Sequence, residues 1–133
     1  MCDALMISYS GVLGGAERVL VEFAAGLGGE RCLACPEGPL AARAREDGIR
    51  VFGLTERPLD VRAAPAAASR NLAAFRRQVR RLARDLQPGV TIASGARAGL
   101  ALLLPRPVGT VVLMHHDLLP GPLIGALIRR AAA

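Results

Sequence analysis

A chain of 133 residues has room for one ordinary domain and little more. Its 17 cationic side chains, every one an arginine, outweigh 11 acidic ones for a formal charge of +6, while apolar residues make up 52% and aromatics only 3%. That composition supplies a core of alanine, leucine and valine; it excludes a disordered tail, and three cysteines exclude a disulfide scaffold.

Ala4 to Ser8 is a short apolar run that predicts a first strand, ending in Tyr9-Ser10-Gly11-Val12-Leu13-Gly14-Gly15. From Ala16 to Leu27 the residues Val19, Leu20, Phe23, Ala24 and Leu27 recur with helical period, and Gly28-Gly29 stops the run. Arg31 to Cys35 predicts a second strand before Pro36, Leu40 to Asp47 a short helix closed by Gly48, and Ile49 to Leu54 a third strand. Thr55 to Ala68, with two prolines and many alanines, reads as a surface connection. Ser69 is a plausible N-cap for a helix that runs to about Leu86 and stops before Pro88-Gly89. Val90 to Ala93 predicts a fourth strand, Ala96 to Leu104 a fourth helix and Val108 to Met114 a fifth strand. After His115-His116-Asp117 a last helical pattern begins near Pro122, and Leu123 to Ala133 has neither cap nor stop, as if cut within a helix.

Strands alternating with helices at this pitch predict an open α/β domain, a parallel Rossmann-like sheet with helices on both faces. The near-continuous apolar runs suit strands covered on both sides. Ligands of such sheets bind beyond the carboxyl ends of the strands. That rule singles out the glycine turn after the first strand, Ser94-Gly95 after the fourth, and His115-His116-Asp117 after the fifth.

A sequence pI near 10.9 suggests an anionic partner, although arginine-only usage also fits a coding bias. The densest cluster is Arg76, Arg77, Arg80, Arg81 and Arg84, interleaved with the apolar stripe Leu72, Phe75, Val79, Leu82 and Leu86. The arginines therefore occupy the flanks and outer face of an amphipathic helix: a solvated face, or a patch that meets phosphate headgroups at a membrane surface. Nucleic acid is not expected, because no aromatic residues interleave with the arginines. Mean hydropathy is +0.35, yet the most apolar stretch, Ala98 to Leu104, ends at Pro105, far short of the roughly 20 residues of a bilayer span. The run from Ala4 to Ile7 behind Asp3 is too short for a signal peptide, so a cytoplasmic location is expected.

Three constellations bear on chemistry. In Gly11-Val12-Leu13-Gly14-Gly15-Ala16-Glu17 a glycine-rich turn enters a helix, where backbone N–H groups and the helix dipole favour a phosphate. The glycines fit neither the P-loop nor G-x-G-x-x-G, and a tight strand-to-helix turn without ligand explains them equally. Glu17 also suits a helix N-terminus as an anion. His115-His116-Asp117 follows a buried strand, so an imidazole there would act as a base, orient a hydroxyl, or simply satisfy a backbone carbonyl. Adjacent residues cannot all face one ion from a strand, so no metal is expected. Cys32-Leu33-Ala34-Cys35 lies inside a strand and reads as packed core thiols rather than a redox or zinc pair.

In order, Gly14-Gly15-Ala16-Glu17-Arg18-Val19-Leu20, Cys35-Pro36-Glu37-Gly38-Pro39-Leu40, Gly48-Ile49-Arg50-Val51, Leu86-Gln87-Pro88-Gly89-Val90, Ser94-Gly95-Ala96-Arg97-Ala98-Gly99 and Val111-Val112-Leu113-Met114-His115-His116-Asp117 resemble the N-terminal domain of family 4 glycosyltransferases of the GT-B type. The resemblance runs from Leu5 to about Arg130. It implies the acceptor-side half of a two-domain enzyme that moves a sugar from a nucleotide sugar to a sugar, lipid or small-molecule acceptor with retention, without metal or other cofactor. Residue by residue, it implies that Gly14 and Gly15 face the donor diphosphate, that His116 lies near the transferred sugar, and that Glu17, Asp117 and Ser94 line the site. Ser94 stands where many relatives have histidine or asparagine, and Gly89 where aspartate is usual. Nothing in residues 1–133 resembles the donor-binding domain, so the chain is expected to be one truncated acceptor-side domain, inactive alone and completed by a donor domain in cis or trans. The alternative is a non-catalytic binding or partner module of the same fold.

Overall fold

In the computed structural model, residues 2–57, 62–103 and 109–115 are described. Among these residues five strands form one sheet, β1 (Ala4–Ser8), β2 (Arg31–Pro36), β3 (Arg50–Leu54), β4 (Val90–Ser94) and β5 (Val111–Met114). Between them lie α1 (Gly15–Gly26), α2 (Pro39–Glu46), α3 (Pro65–Leu86) and α4 (Gly95–Leu103). All strand pairs are parallel and the order is β3-β2-β1-β4-β5, a Rossmann-like α/β sheet. The chain winds outward from β1 through β2 to β3, and α3 then carries it back across the sheet to β4. The winding therefore reverses between β1 and β4, which is where such sheets open a crevice at their carboxyl edge.

The strand period of two divides the core into two layers. Leu5, Ile7, Cys32, Ala34 and Ala93 face one way and pack with Phe75, Val79, Ala83, Ala98, Ala101 and Leu102 of α3 and α4. Met6, Leu33, Cys35 and Ile92 face the other way, against Leu20, Val21, Ala24, Leu40, Ala41 and Ala44 of α1 and α2. Cys32 and Cys35 thus lie on opposite faces of β2 and cannot meet each other, as the strand reading of this segment requires. All three cysteines are free and buried.

Helix ends follow local chemistry. The guanidinium of Arg31 donates to the Ala24 and Ala25 carbonyls at 3.1 and 3.3 Å, which satisfies the C-terminus of α1. Pro39 and Pro65 both sit in the first turn of a helix, where a missing N–H removes nothing. For α3 this moves the start ahead of Ser69: the helix begins at Pro65, and the alanines after it are helix rather than connection. Gln87, in the left-handed region at φ 45°, ends it. At the other end of the sheet a single residue does the work of a loop, since Gly95 with φ +85° lets β4 pass directly into α4. Leu104, Val108 and the helical pattern near Pro122 lie outside the described residues.

Candidate functional site at the carboxyl edge of the sheet

The register aligns Ser8 of β1 with Ser94 of β4, and Ser94 with Met114 of β5. One residue further on are Tyr9, Gly95 and His115, so the turns after β1, β4 and β5 emerge side by side on one edge. At a strand spacing of about 4.8 Å the outer two are about 10 Å apart. His116 and Asp117 lie outside the described residues.

The glycine turn after β1 is built by its own polar groups. The Ser8 hydroxyl donates to the Ser10 carbonyl at 2.9 Å, and the Val12 N–H donates to Ser10 Oγ at 3.1 Å. Gly11 abuts the turn after β2: a Cβ there would stand 2.8 Å from the Pro36 carbonyl oxygen and 3.0 Å from that of Glu37. The Leu40 N–H, in the first turn of α2, donates to the Gly11 carbonyl at 3.0 Å. Gly14 precedes α1, and its N–H donates to Glu17 Oε2 at 3.1 Å. Glu17 therefore turns its carboxylate back onto the helix start, where the dipole favours it. Gly15 is exposed, with nothing within 4 Å of the position a Cβ would take.

On the face covered by α3 and α4 the edge carries an aromatic and cationic group that sequence reading missed. Tyr9 meets Phe75 edge-to-face at 4.8 Å between ring centroids, and its hydroxyl donates to the Arg57 carbonyl at 2.7 Å. The Arg97 guanidinium stands 5.1 Å from the Tyr9 ring centroid, a cation–π contact from the first turn of α4. Burial raises the Tyr9 phenol, with Arg97 and then Arg57 opposing the shift. Among the described residues, Arg57 Nε is buried without a hydrogen-bond partner, and so are both ring nitrogens of His115. Orphaned polar atoms of this kind require an explanation, and a polar ligand is one. The sequence did hold one signal: Tyr9, the only tyrosine, directly follows a strand, and Arg97 falls in the first turn after another.

The edge therefore combines two helix starts, two guanidinium groups, an imidazole and small residues that leave the backbone approachable. The chemistry of such a set is suited to an anion and hydroxyl groups; among the described residues no cluster of histidine, cysteine and carboxylates could hold a metal ion. Among the same residues no helix is long and apolar enough to cross a membrane. No family model matches the chain, and no curated protein or solved structure is significantly similar to it.

Proposed function

We propose that the chain is the acceptor-side domain of a retaining glycosyltransferase. One observation carries this: the glycine turn after β1 and His115 after β5 share the carboxyl edge of a parallel sheet, on either side of the β1–β4 reversal. A span of about 10 Å between them accommodates a sugar and its diphosphate. In this reading the donor diphosphate approaches the start of α1 over Gly14 and Gly15, where it meets the Gly15 amide and competes with Glu17 for the Gly14 N–H, and Ser94 contacts the acceptor. His116 orients or deprotonates the attacking hydroxyl, with Asp117 beside it. Tyr9 and Arg97 form the wall of the acceptor pocket. A donor-binding domain, in cis or in trans, supplies the rest of the nucleotide contacts.

The reading is tested with the 133-residue chain itself. Titration of ¹⁵N-labelled protein with UDP-glucose and GDP-mannose is expected to shift the amides of residues 11–15 and 94–97 and of His115, with no sugar transferred. Shifts confined to other regions would refute the assignment, and turnover above that of the His116→Ala variant would overturn the expectation that the chain is inactive alone.

A further inference from the structure

Nearly all the excess positive charge of the chain sits on one helix, on the surface facing away from the core. α3 carries six arginines against one aspartate, within a chain whose net charge is +6. Five of them, Arg76, Arg77, Arg80, Arg81 and Arg84, line a single groove of about 590 Å³ with Ala73. They fall in two rows of i, i+4 neighbours, Arg76-Arg80-Arg84 and Arg77-Arg81, so side chains within a row stand about 5–6 Å apart.

Other surface arginines have carboxylates to hand: Arg43 pairs with Asp47 at 3.0 Å, Arg45 with Glu37 at 2.6 Å and Arg50 with Glu30 at 3.2 Å. The carboxylate that α3 itself carries, Asp85, stands 3.9 Å from Arg81. Arg80 is fixed in place, since its guanidinium donates to the Leu102 carbonyl at 3.1 Å, in the last turn of α4. Burial lowers its pKa, and the neighbouring charges of Arg76 and Arg84 lower it further, which reports cations crowded together. The apolar stripe of this helix, Phe75, Val79 and Ala83, is turned into the core, so the groove offers cations without an apolar or aromatic side chain larger than alanine.

We infer that this groove binds two or more phosphate groups held close together. Guanidinium groups match phosphate oxygens in bidentate geometry. From Arg77 to Arg84 is seven residues, about 10 Å along the helix, wider than one phosphate and matched by several in a row. The lack of a stacking side chain disfavours recognition of bases. The phosphates come either on a soluble molecule or as headgroups of an anionic lipid surface.

Calorimetry of the whole chain with sodium tripolyphosphate, and co-sedimentation with phosphatidylglycerol against phosphatidylcholine vesicles, separate these sources. Binding to tripolyphosphate assigns a soluble ligand; binding to phosphatidylglycerol vesicles alone assigns headgroups. In either case the Arg77→Gln/Arg81→Gln/Arg84→Gln variant is expected to lose affinity on the order of a hundredfold. The Arg43→Gln/Arg50→Gln control is expected to bind as the parent does. The arginine Nε–H resonances of α3 should shift on saturation of the unmodified protein, a readout that requires no variant. Failure of both probes to bind at low salt, undiminished binding by the triple variant, or tighter capture of an oligouridylate than of either probe would overturn the inference.

Discussion

Replacing Gly11 by alanine tests whether the edge of the sheet is held by loop-on-loop contact. The added Cβ would lie 2.8 and 3.0 Å from two carbonyl oxygens, of Pro36 and Glu37, and 3.3 Å from the Pro36 carbonyl carbon. These are backbone atoms, so no rotamer change relieves the clash; one turn must move. Movement also strains the 3.0 Å bond from the Leu40 N–H to the Gly11 carbonyl, which ties the glycine turn to the start of α2. Overpacking of this kind costs about 1–3 kcal/mol and a weakened hydrogen bond about 1 kcal/mol more, so a loss of roughly 2–4 kcal/mol is expected. Against a total stability of about 5–15 kcal/mol that is large. Urea unfolding followed by circular dichroism should show the midpoint fall by about 1–2 M at an ordinary slope. Gly15→Ala is the matched control, because nothing lies within 4 Å of its Cβ position, and its midpoint should hold or rise slightly. A Gly11→Ala midpoint within experimental error of the parent would refute the reasoning.

Phe75→Ala removes a buried ring that packs against Tyr9 at 4.8 Å, and the cavity should cost about 3–5 kcal/mol by urea unfolding. The same variant should broaden the Tyr9 ring resonances, since the edge-to-face support is gone. The buried thiols set an alkaline limit to stability. Burial, then the Glu37 carboxylate, pushes Cys35 up to about 11, while burial and the Cys32 thiol push Cys2 up to about 12. An unfolded thiol ionises near pH 8.5, at about that value, while the folded one stays protonated. Stability from this source is therefore complete below that pH and falls as pH rises toward the folded values. For Cys35 the loss by pH 11 is on the order of 3 kcal/mol, and Cys35→Ala should flatten that part of the profile measured by urea unfolding. A pH-independent midpoint between pH 8 and pH 10 would contradict the burial argument. In the native state all three thiols should also resist Ellman's reagent until denaturant is added.

Where sequence and structure agree, the reason is periodicity. The strands read as near-continuous apolar runs because the sheet is covered on both faces, and each run survives as a strand in the expected order. The start of α3 was misread because Ser69 has the chemistry of a cap and Pro65 that of a breaker; the proline instead occupies the first turn, and buried Ala68 packs inward. The Ser94–Gly95 turn was legible as a turn, but not as one residue with positive φ. The candidate site was only half visible. Residues on a turn directly after a strand declare themselves, as the glycine turn and His115 do. Tyr9, Arg57, Phe75 and Arg97 are brought together from separations of 18 to 88 residues in sequence by packing of α3 and α4, which no local pattern encodes.

The two helix starts at this edge differ in what they leave for an anion. α4 begins with no acidic residue in its first turn and with Arg97 over Tyr9. α1 begins with its own carboxylate, Glu17, held 3.1 Å from the Gly14 nitrogen. A diphosphate approaching Gly14 and Gly15 must come close to that carboxylate, and two unit charges about 4 Å apart repel by about 1 kcal/mol even at the dielectric of water. Glu17→Gln removes the charge and keeps the length of the side chain. Pyrophosphate affinity, measured by amide shifts at Gly14 and Gly15, should rise about fivefold in that variant, while thermal unfolding reports a loss of about 0.3–1 kcal/mol from the helix start. Opposite signs for binding and stability are the signature of a carboxylate that stabilises the turn at the expense of an anionic ligand. If affinity falls instead, Glu17 contacts the ligand directly, through a hydroxyl rather than a phosphate, and the diphosphate belongs over Gly95 and Arg97.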